Sequence, residues 1–224
     1  MMELLSPAGS PEAVIAAVQN GADAVYLGLG DFNARRGAKN FTDEEFEKAV
    51  RYCHVRGCKV YVTLNTLVSD RETEKALRAA RLASDAGADG IIIQDIGFVS
   101  IVRSALPDIP LHGSTQMSVH NLAGVEAAAE MGITRVVLAR ELSLEQIKFI
   151  SSHASIETEV FVHGALCFCH SGQCYMSSLI GRRSGNRGRC AQPCRMRFSM
   201  GERNSALLSL RDRCTLQHLP EFVE

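Results

Sequence analysis

The sequence predicts a parallel β/α barrel, and three observations predict it. A unit of helix, glycine, short turn and apolar strand is legible four times in the first three quarters of the chain. Its strands are short, β-branched and apolar on both faces, as expected where helices cover a parallel sheet. No GxGxxG follows the first strand, so the dinucleotide-binding open sheet, the other fold built from alternating units, lacks its usual marker.

Each element can be justified in order. AVIAAVQNGADAVYLGLG gives a helix, Gly21 near its end and a strand at Ala24–Gly28. KAVRYCHVRGCKVYVTLNT repeats this with Gly57 and Lys59–Leu64, and LRAARLASDAGADGIIIQD with Gly87 and Gly90–Gln94. AGVEAAAEMGITRVVLAREL is the fourth copy, with Gly132 and Arg135–Ala139. A glycine after the last helical residue takes the left-handed conformation without a Cβ penalty and ends the helix cleanly. Glu3–Ser6, Pro110–Ser114 and Glu157–His163 complete seven strands. A (β/α)8 barrel needs eight, so the chain reads as truncated before strand eight, with LQHLPEFVE an unfinished helix. The predicted division is 1–163 for barrel strands one to seven and 164–200 for a Cys/Arg-rich metal-binding loop inserted after strand seven. Residues 201–224 then start the segment leading to the missing eighth strand.

Composition narrows the function classes. With 46% hydrophobic and 22% charged residues, the chain of 224 has enough apolar surface for one sizeable core. A formal net charge of −1 argues against a protein that coats nucleic acid non-specifically, while leaving room for a local basic patch. No apolar stretch approaches the ~18 residues that span a bilayer. The N-terminus lacks a basic segment followed by a long apolar one. No membrane association and a cytoplasmic location are expected.

The eight cysteines are lopsided. Cys53 and Cys58 stand apart and read as packed core thiols, whereas Cys167, Cys169, Cys174, Cys190, Cys194 and Cys214 fall in the last quarter. In a reducing compartment such clustering points to metal ligation or catalysis before disulfides. Cys167, Cys174, Cys190 and Cys194 are separated by six, fifteen and three residues. Structural zinc sites usually show two tight Cys-x2–4-Cys knuckles, and only CAQPC fits that, so zinc is the weaker alternative. Wider, uneven spacing in glycine-rich backbone suits an iron–sulfur cluster.

The same segment carries Arg182, Arg183, Arg187, Arg189, Arg195 and Arg197, with no acidic residue between His163 and Phe198. Of these, Arg182, Arg187 and Arg189 are the candidate contacts for phosphate or another anion. Polar residues at the C-terminal ends of barrel strands face the active site. Here these are Ser6, Asn65, Gln94, Asp95, Gln116, Arg140, Glu141 and His163. His163, Gln116 and Asn65 are the catalytic candidates, with His163 as general base or ligand. Asp95 and the Arg140–Glu141 pair are better read as loop braces. No GxSxG elbow, HExxH or P-loop occurs. A Cys167/His163 peptidase arrangement has nothing marking an oxyanion hole.

ELLSPAGSPEAVIAAVQNGADAVYLG, HGSTQMSVHN, VLARELSLEQI, EVFVHGALCFCHSGQCYMSS and GRRSGNRGRCAQPCR closely resemble the collagenase-like peptidase family, U-32, over almost the whole chain. The resemblance implies two functions of different class. One is proteolysis. The other is oxygen-independent hydroxylation by enzymes carrying a 4Fe–4S cluster, which act on transfer RNA, ribosomal RNA or a ubiquinone precursor. The RNA enzymes of that kind take the hydroxyl from prephenate, so prephenate is the implied co-substrate.

The wording SGQCY and GNRGRCAQPCR is most similar to the branch of 23S ribosomal RNA 5-hydroxycytidine synthases. By that match Cys167, Cys174 and Cys190 would be cluster ligands, with either Cys194 or Cys214 as the fourth. It also implies an electron donor as partner and a further C-terminal domain in full-length members. RNA hydroxylation is the preferred reading, because a cysteine cage beside an arginine-rich loop suits iron–sulfur chemistry on RNA, whereas a peptidase requires neither. A non-catalytic scaffold pinned by a metal is the third.

Overall fold

The computed structural model describes residues 2–34, 36, 40–201 and 203–223. Strands and helices alternate from the start: β1 (Leu5–Pro7), α1 (Pro11–Gln19), β2 (Ala24–Gly28), α2 (Asp43–His54), β3 (Lys59–Leu64), α3 (Thr73–Asp85) and β4 (Gly90–Ile93). They continue as α4 (Ile96–Ala105), β5 (Leu111–Gly113), α5 (Leu122–Glu130), β6 (Arg135–Val137), α6 (Leu144–His153) and β7 (Glu157–Glu159). Local sequence dictates the helix limits. The side chains of Ser10, Thr42, Asp95, Asn121 and Ser143 cap the first turns of α1, α2, α4, α5 and α6. Gly21, Gly57, Gly87 and Gly132 all have the positive φ that the helix exits need.

The seven strands form one parallel sheet in sequential order, β1 to β7. The sheet curls into an incomplete barrel. Glu3, just before β1, lies 2.6 Å from the guanidinium of Arg135 on β6, a contact that a flat sheet would forbid. Alternation along the strands sorts two cores. Val25, Leu27, Val60, Val62, Ile91, Ile93 and Val136 pack with Phe46, Ala80, Phe98 and Val102 of the helices. Ala24, Tyr61 and Ile92 form a separate interior cluster with Leu5 and Tyr26. Each fully buried branched aliphatic side chain contributes about 1.5–3 kcal/mol, so the sheet–helix layer carries most of the stability. Cys53 and Cys58 belong to that layer, 0% and 2% exposed, and burial pushes the Cys53 thiol up to about 12.

Beyond β7 the chain leaves the sheet. It forms β8 (His163–Gly164), α7 (Met176–Gly181), β9 (Phe198–Met200), β10 (Arg203–Ser205), β11 (Arg213–Cys214) and α8 (Leu219–Val223). β9 and β10 make a hairpin, and β11 pairs antiparallel with β8. The loop 164–200 was expected to lack regular structure. Its helix α7 has six residues and no side-chain cap, and the strands here have two or three, all too short for periodicity to register. Helix α8 falls within LQHLPEFVE, which reads as an unfinished helix.

Candidate metal centre at the barrel mouth

The cysteine-bearing segment lies on the C-terminal end of the barrel and is seated there at two places. The first seat is on the β5 and β6 side. Ser171 is wholly buried; its N–H and hydroxyl donate to the Glu141 carboxylate at 3.1 and 2.9 Å. Its Oγ in turn accepts from the N–H and Nε of Arg140 at 3.3 and 3.4 Å. Burial opposes ionisation of Glu141, but the hydrogen bonds from Ser171 and His170 outweigh it and hold the carboxyl below its ordinary range. The hydroxyl of Ser118, a residue at φ 61, donates to the carbonyl of Ser171 and accepts from Gln173 Nε2 at 3.0 Å. Gly172, at φ +73, rests directly on Gln116: a Cβ there would stand 2.1 Å from the Gln116 carbonyl oxygen. The Arg140–Glu141 pair is thus the brace expected of it.

The second seat is on the β2 and β3 side. A Cβ on Gly188, at φ +67, would stand 2.1 Å from the carbonyl oxygen of Asn33. The Asn186 carbonyl accepts from Leu67 N–H at 3.0 Å, and Arg187 Nη2 pairs with Glu72 at 2.5 Å. Hydrogen bonds from Ser69 and Arg187 hold Glu72 down at about 2. Arg187 is therefore engaged by a carboxylate, whereas Arg182 and Arg189 are exposed. Asp95, the other expected brace, caps α4 and accepts from Val68 N–H at 3.1 Å.

Between the seats the thiols are neighbours. Burial raises Cys169, and so do Cys174 and Cys167 beside it. Burial likewise raises Cys194, with Cys167 and Cys190 adding to the effect. Thiols that push one another up ionise together more readily with a cation among them. Among the described residues, no three Cys, His, Asp or Glu side chains surround a common point at the range of a single ion. Thiolates are the donor type that both iron–sulfur groups and structural zinc use.

Cys169 was not among the expected ligands, although the Cys-Phe-Cys spacing places it two residues from Cys167. Cys214 lies directly across the β8–β11 ladder from His163. Both residues of that pair are exposed. Asn65 is tied into the scaffold: its Oδ1 accepts from Ala34 N–H at 2.8 Å and its Nδ2 reaches Ser114 Oγ at 3.5 Å. Gln116 forms the ledge beneath Gly172. The structure thus joins Gln116 to the cysteine segment, and places His163 with Cys214 and Asn65 with Ser114.

A family model described as peptidase family U32 matches residues 9–224. The chain belongs to that family. It is 39% identical to the 23S rRNA 5-hydroxycytidine C2501 synthase of Escherichia coli K12, over all of this chain and 35% of that protein. It is 37% identical to the tRNA hydroxylation protein P of the same organism, over 89% of this chain and 44% of that protein. The U32 chain thus spans less than half the length of both relatives. The solved structure of the U32 peptidase Mk0906 superposes with a TM-score of 0.62 at 18% identity, covering 74% of this chain and 70% of that one. That likeness supports a curled parallel β/α sheet as the family fold. No described helix is long and apolar enough to cross a membrane.

Proposed function

We propose that this U32 chain is the barrel of an iron–sulfur-dependent, oxygen-independent RNA hydroxylase that modifies C5 of a pyrimidine, with prephenate as hydroxyl donor. The observation that carries the reading is the thiol segment seated across the mouth where parallel barrels keep their chemistry. Relatives named for hydroxylation of ribosomal and transfer RNA support RNA as the substrate class. Cys167, Cys174, Cys190 and Cys194 would hold a 4Fe–4S cluster, with Cys169 or Cys214 available to replace one of them. The bound cluster would supply redox and Lewis-acid chemistry.

The remaining roles fall to this chain's other residues. Arg182 and Arg189, exposed beside the thiols, would hold RNA phosphates or the carboxylates of the donor. Gln116 orients the Cys169–Cys174 turn through its carbonyl ledge. His163 would move a proton at the rim. A further C-terminal domain and an electron donor complete the proposed assembly.

Anaerobic purification of the full-length protein should give about four iron and four sulfide per chain. Replacing Cys174 with Ala should abolish both the brown colour and the hydroxylated pyrimidine seen by mass spectrometry of cellular RNA. Retained modification in that variant sinks the reading. The peptidase alternative draws on the His163–Cys214 cross-strand pair, and there Cys214→Ser would end cleavage of a protein substrate while Cys174→Ala would not.

A further inference from the structure

Gln94 follows β4, the middle strand of the seven. It shares the interior face with Gly90 and Ile92, since Ile91 and Ile93 point to the helices and Ile92 belongs to the interior cluster. Register fixes its neighbours. Leu64 and Gly113 both pair with Ile93, so Asn65, Gln94 and Ser114 occupy adjacent positions at the ends of three central strands. The Ser114 N–H donates to the Ile93 carbonyl at 2.7 Å, which locks that alignment.

The three polar side chains differ in one respect. Asn65 uses its carboxamide on Ala34 N–H and Ser114 Oγ, and Ser114 Oγ also accepts from Gln116 N–H at 3.2 Å. Gln94 is 6% exposed, and its Oε1 is shielded from solvent without a hydrogen-bond partner among the described residues. An unpaired buried acceptor is costly, and a leucine would fill the same space without the cost. The terminal torsion of a glutamine is broad, so a small rotation presents Oε1 to the interior.

We infer that Gln94 reads the amino edge of the target base: Oε1 accepts a hydrogen bond from the exocyclic N4 amino group of a cytosine brought to the barrel mouth. The inference rests on the RNA hydroxylase reading and sharpens it to a substrate base. Enzymes that act on a base commonly take it out of the stack and read its pairing edge with fixed polar groups. A uracil at the same place presents O4, an acceptor that the amide meets only by turning Nε2 to where the structure places Oε1, so cytosine is preferred. Gln94 is thus a specificity-determining residue, flanked by Asn65 and Ser114, whose own polar groups are engaged with each other and with Ala34 and Gln116.

The test compares wild-type and Gln94→Leu full-length holoprotein. The substrates are unmodified large-subunit ribosomal RNA and a transcript in which the cytidine modified by the wild type is uridine. The ratio of kcat/KM for cytidine over uridine should fall at least about tenfold in the variant, the effect expected of one base-edge hydrogen bond. Iron content should stay constant. The thermal midpoint without RNA should hold or rise, because the variant removes an unsatisfied buried acceptor. An active wild type with an unchanged ratio in the variant overturns the role of Gln94 alone. A midpoint lowered by several degrees also overturns it, since the amide would then be satisfied inside the protein, for example by a buried water. A wild type that leaves both RNAs unmodified overturns this inference, and one that also leaves total transfer RNA unmodified overturns the hydroxylase reading itself.

Discussion

At the N-terminal ends of the strands, Arg135 on β6 holds Glu3 and Glu157 at 2.6 Å each, and Lys59 and Tyr61 add hydrogen bonds to Glu3 at 2.9 Å. At the C-terminal ends, the groups are neighbouring thiols, exposed arginines and a glutamine oxygen without a hydrogen-bond partner among the described residues. The lower end is a set of opposite charges joining β1, β3, β6 and β7, in which Glu3 and Glu157 are paired and Glu159 Oε2 is buried without a hydrogen-bond partner among the described residues. The upper end is held in place from outside, by glycines pressed on carbonyls and a buried serine on a carboxylate. The contrast separates charge used for cohesion from polar groups kept for chemistry, the division expected of the two faces of a barrel. It also predicts that substitutions at the two ends fail in different ways.

The largest effect should come from the lower end. Burial opposes ionisation of Glu3, but hydrogen bonds from Arg135, Lys59 and Tyr61 hold its carboxyl at about 2. Arg135→Met removes the cation that Glu3, Glu157 and Glu159 share, and breaking a buried pair this way costs about 3–5 kcal/mol. Chemical denaturation should register that loss, and iron binding per folded chain should stay intact. A variant as stable as the wild type would show that the cluster does not hold the strands together.

A smaller loss of stability with a larger loss of chemistry should follow at the upper end. In Gly172→Ala the new methyl meets the Gln116 carbonyl and requires an unfavourable positive φ, so the Cys169–Cys174 turn must lift off its ledge. The expected cost is about 1–3 kcal/mol, with iron and sulfide per chain falling well below those of the wild type. Full iron content in a folded Gly172→Ala protein would break the comparison, because the seat would then be unnecessary to the site.

Much of this contrast was legible in the sequence, and what was not has a physical reason. The helix–glycine–strand units came through because their signals are local: caps, periodicity and the four glycines at helix exits. The strand-end position of Gln94 and the bracing by Arg140–Glu141 were readable from the same frame. The pairing of Arg135 with Glu3 spans 132 residues and that of Arg187 with Glu72 spans 115, so no local pattern announces either. Arg187 read as a free anion contact for that reason. Cys169 was passed over because family spacing favoured its neighbours, and contact with Cys174 and Cys167 depends on how the turn folds. Helix α7 is too short to leave a trace.

The smallest effect probes the lower end through pH. Glu159 on β7 lies 3.9 Å from Arg135, too far for a hydrogen bond, and burial pushes its carboxyl up from 4.5 to about 7. Between those values the folded chain keeps a proton that the unfolded chain releases, so the Glu159 contribution to stability falls as pH rises from 4.5 to about 7 and is level above. Glu3, held at about 2 in the folded chain, contributes mainly between pH 2 and 4.5, and equally in the wild type and a Glu159→Gln variant. Burial and then Arg135 push His112 down to about 3, which gives a slope of opposite sign between pH 3 and 6.5. That slope is common to the wild type and a Glu159→Gln variant, so it cancels in their difference. The variant should therefore match the wild type near pH 4.5 and exceed it by on the order of 1–2 kcal/mol at pH 8. Urea midpoints at the two pH values decide the matter. Parallel profiles would mean that Glu159 is paired in solution, and the lower end would then be satisfied at every carboxylate.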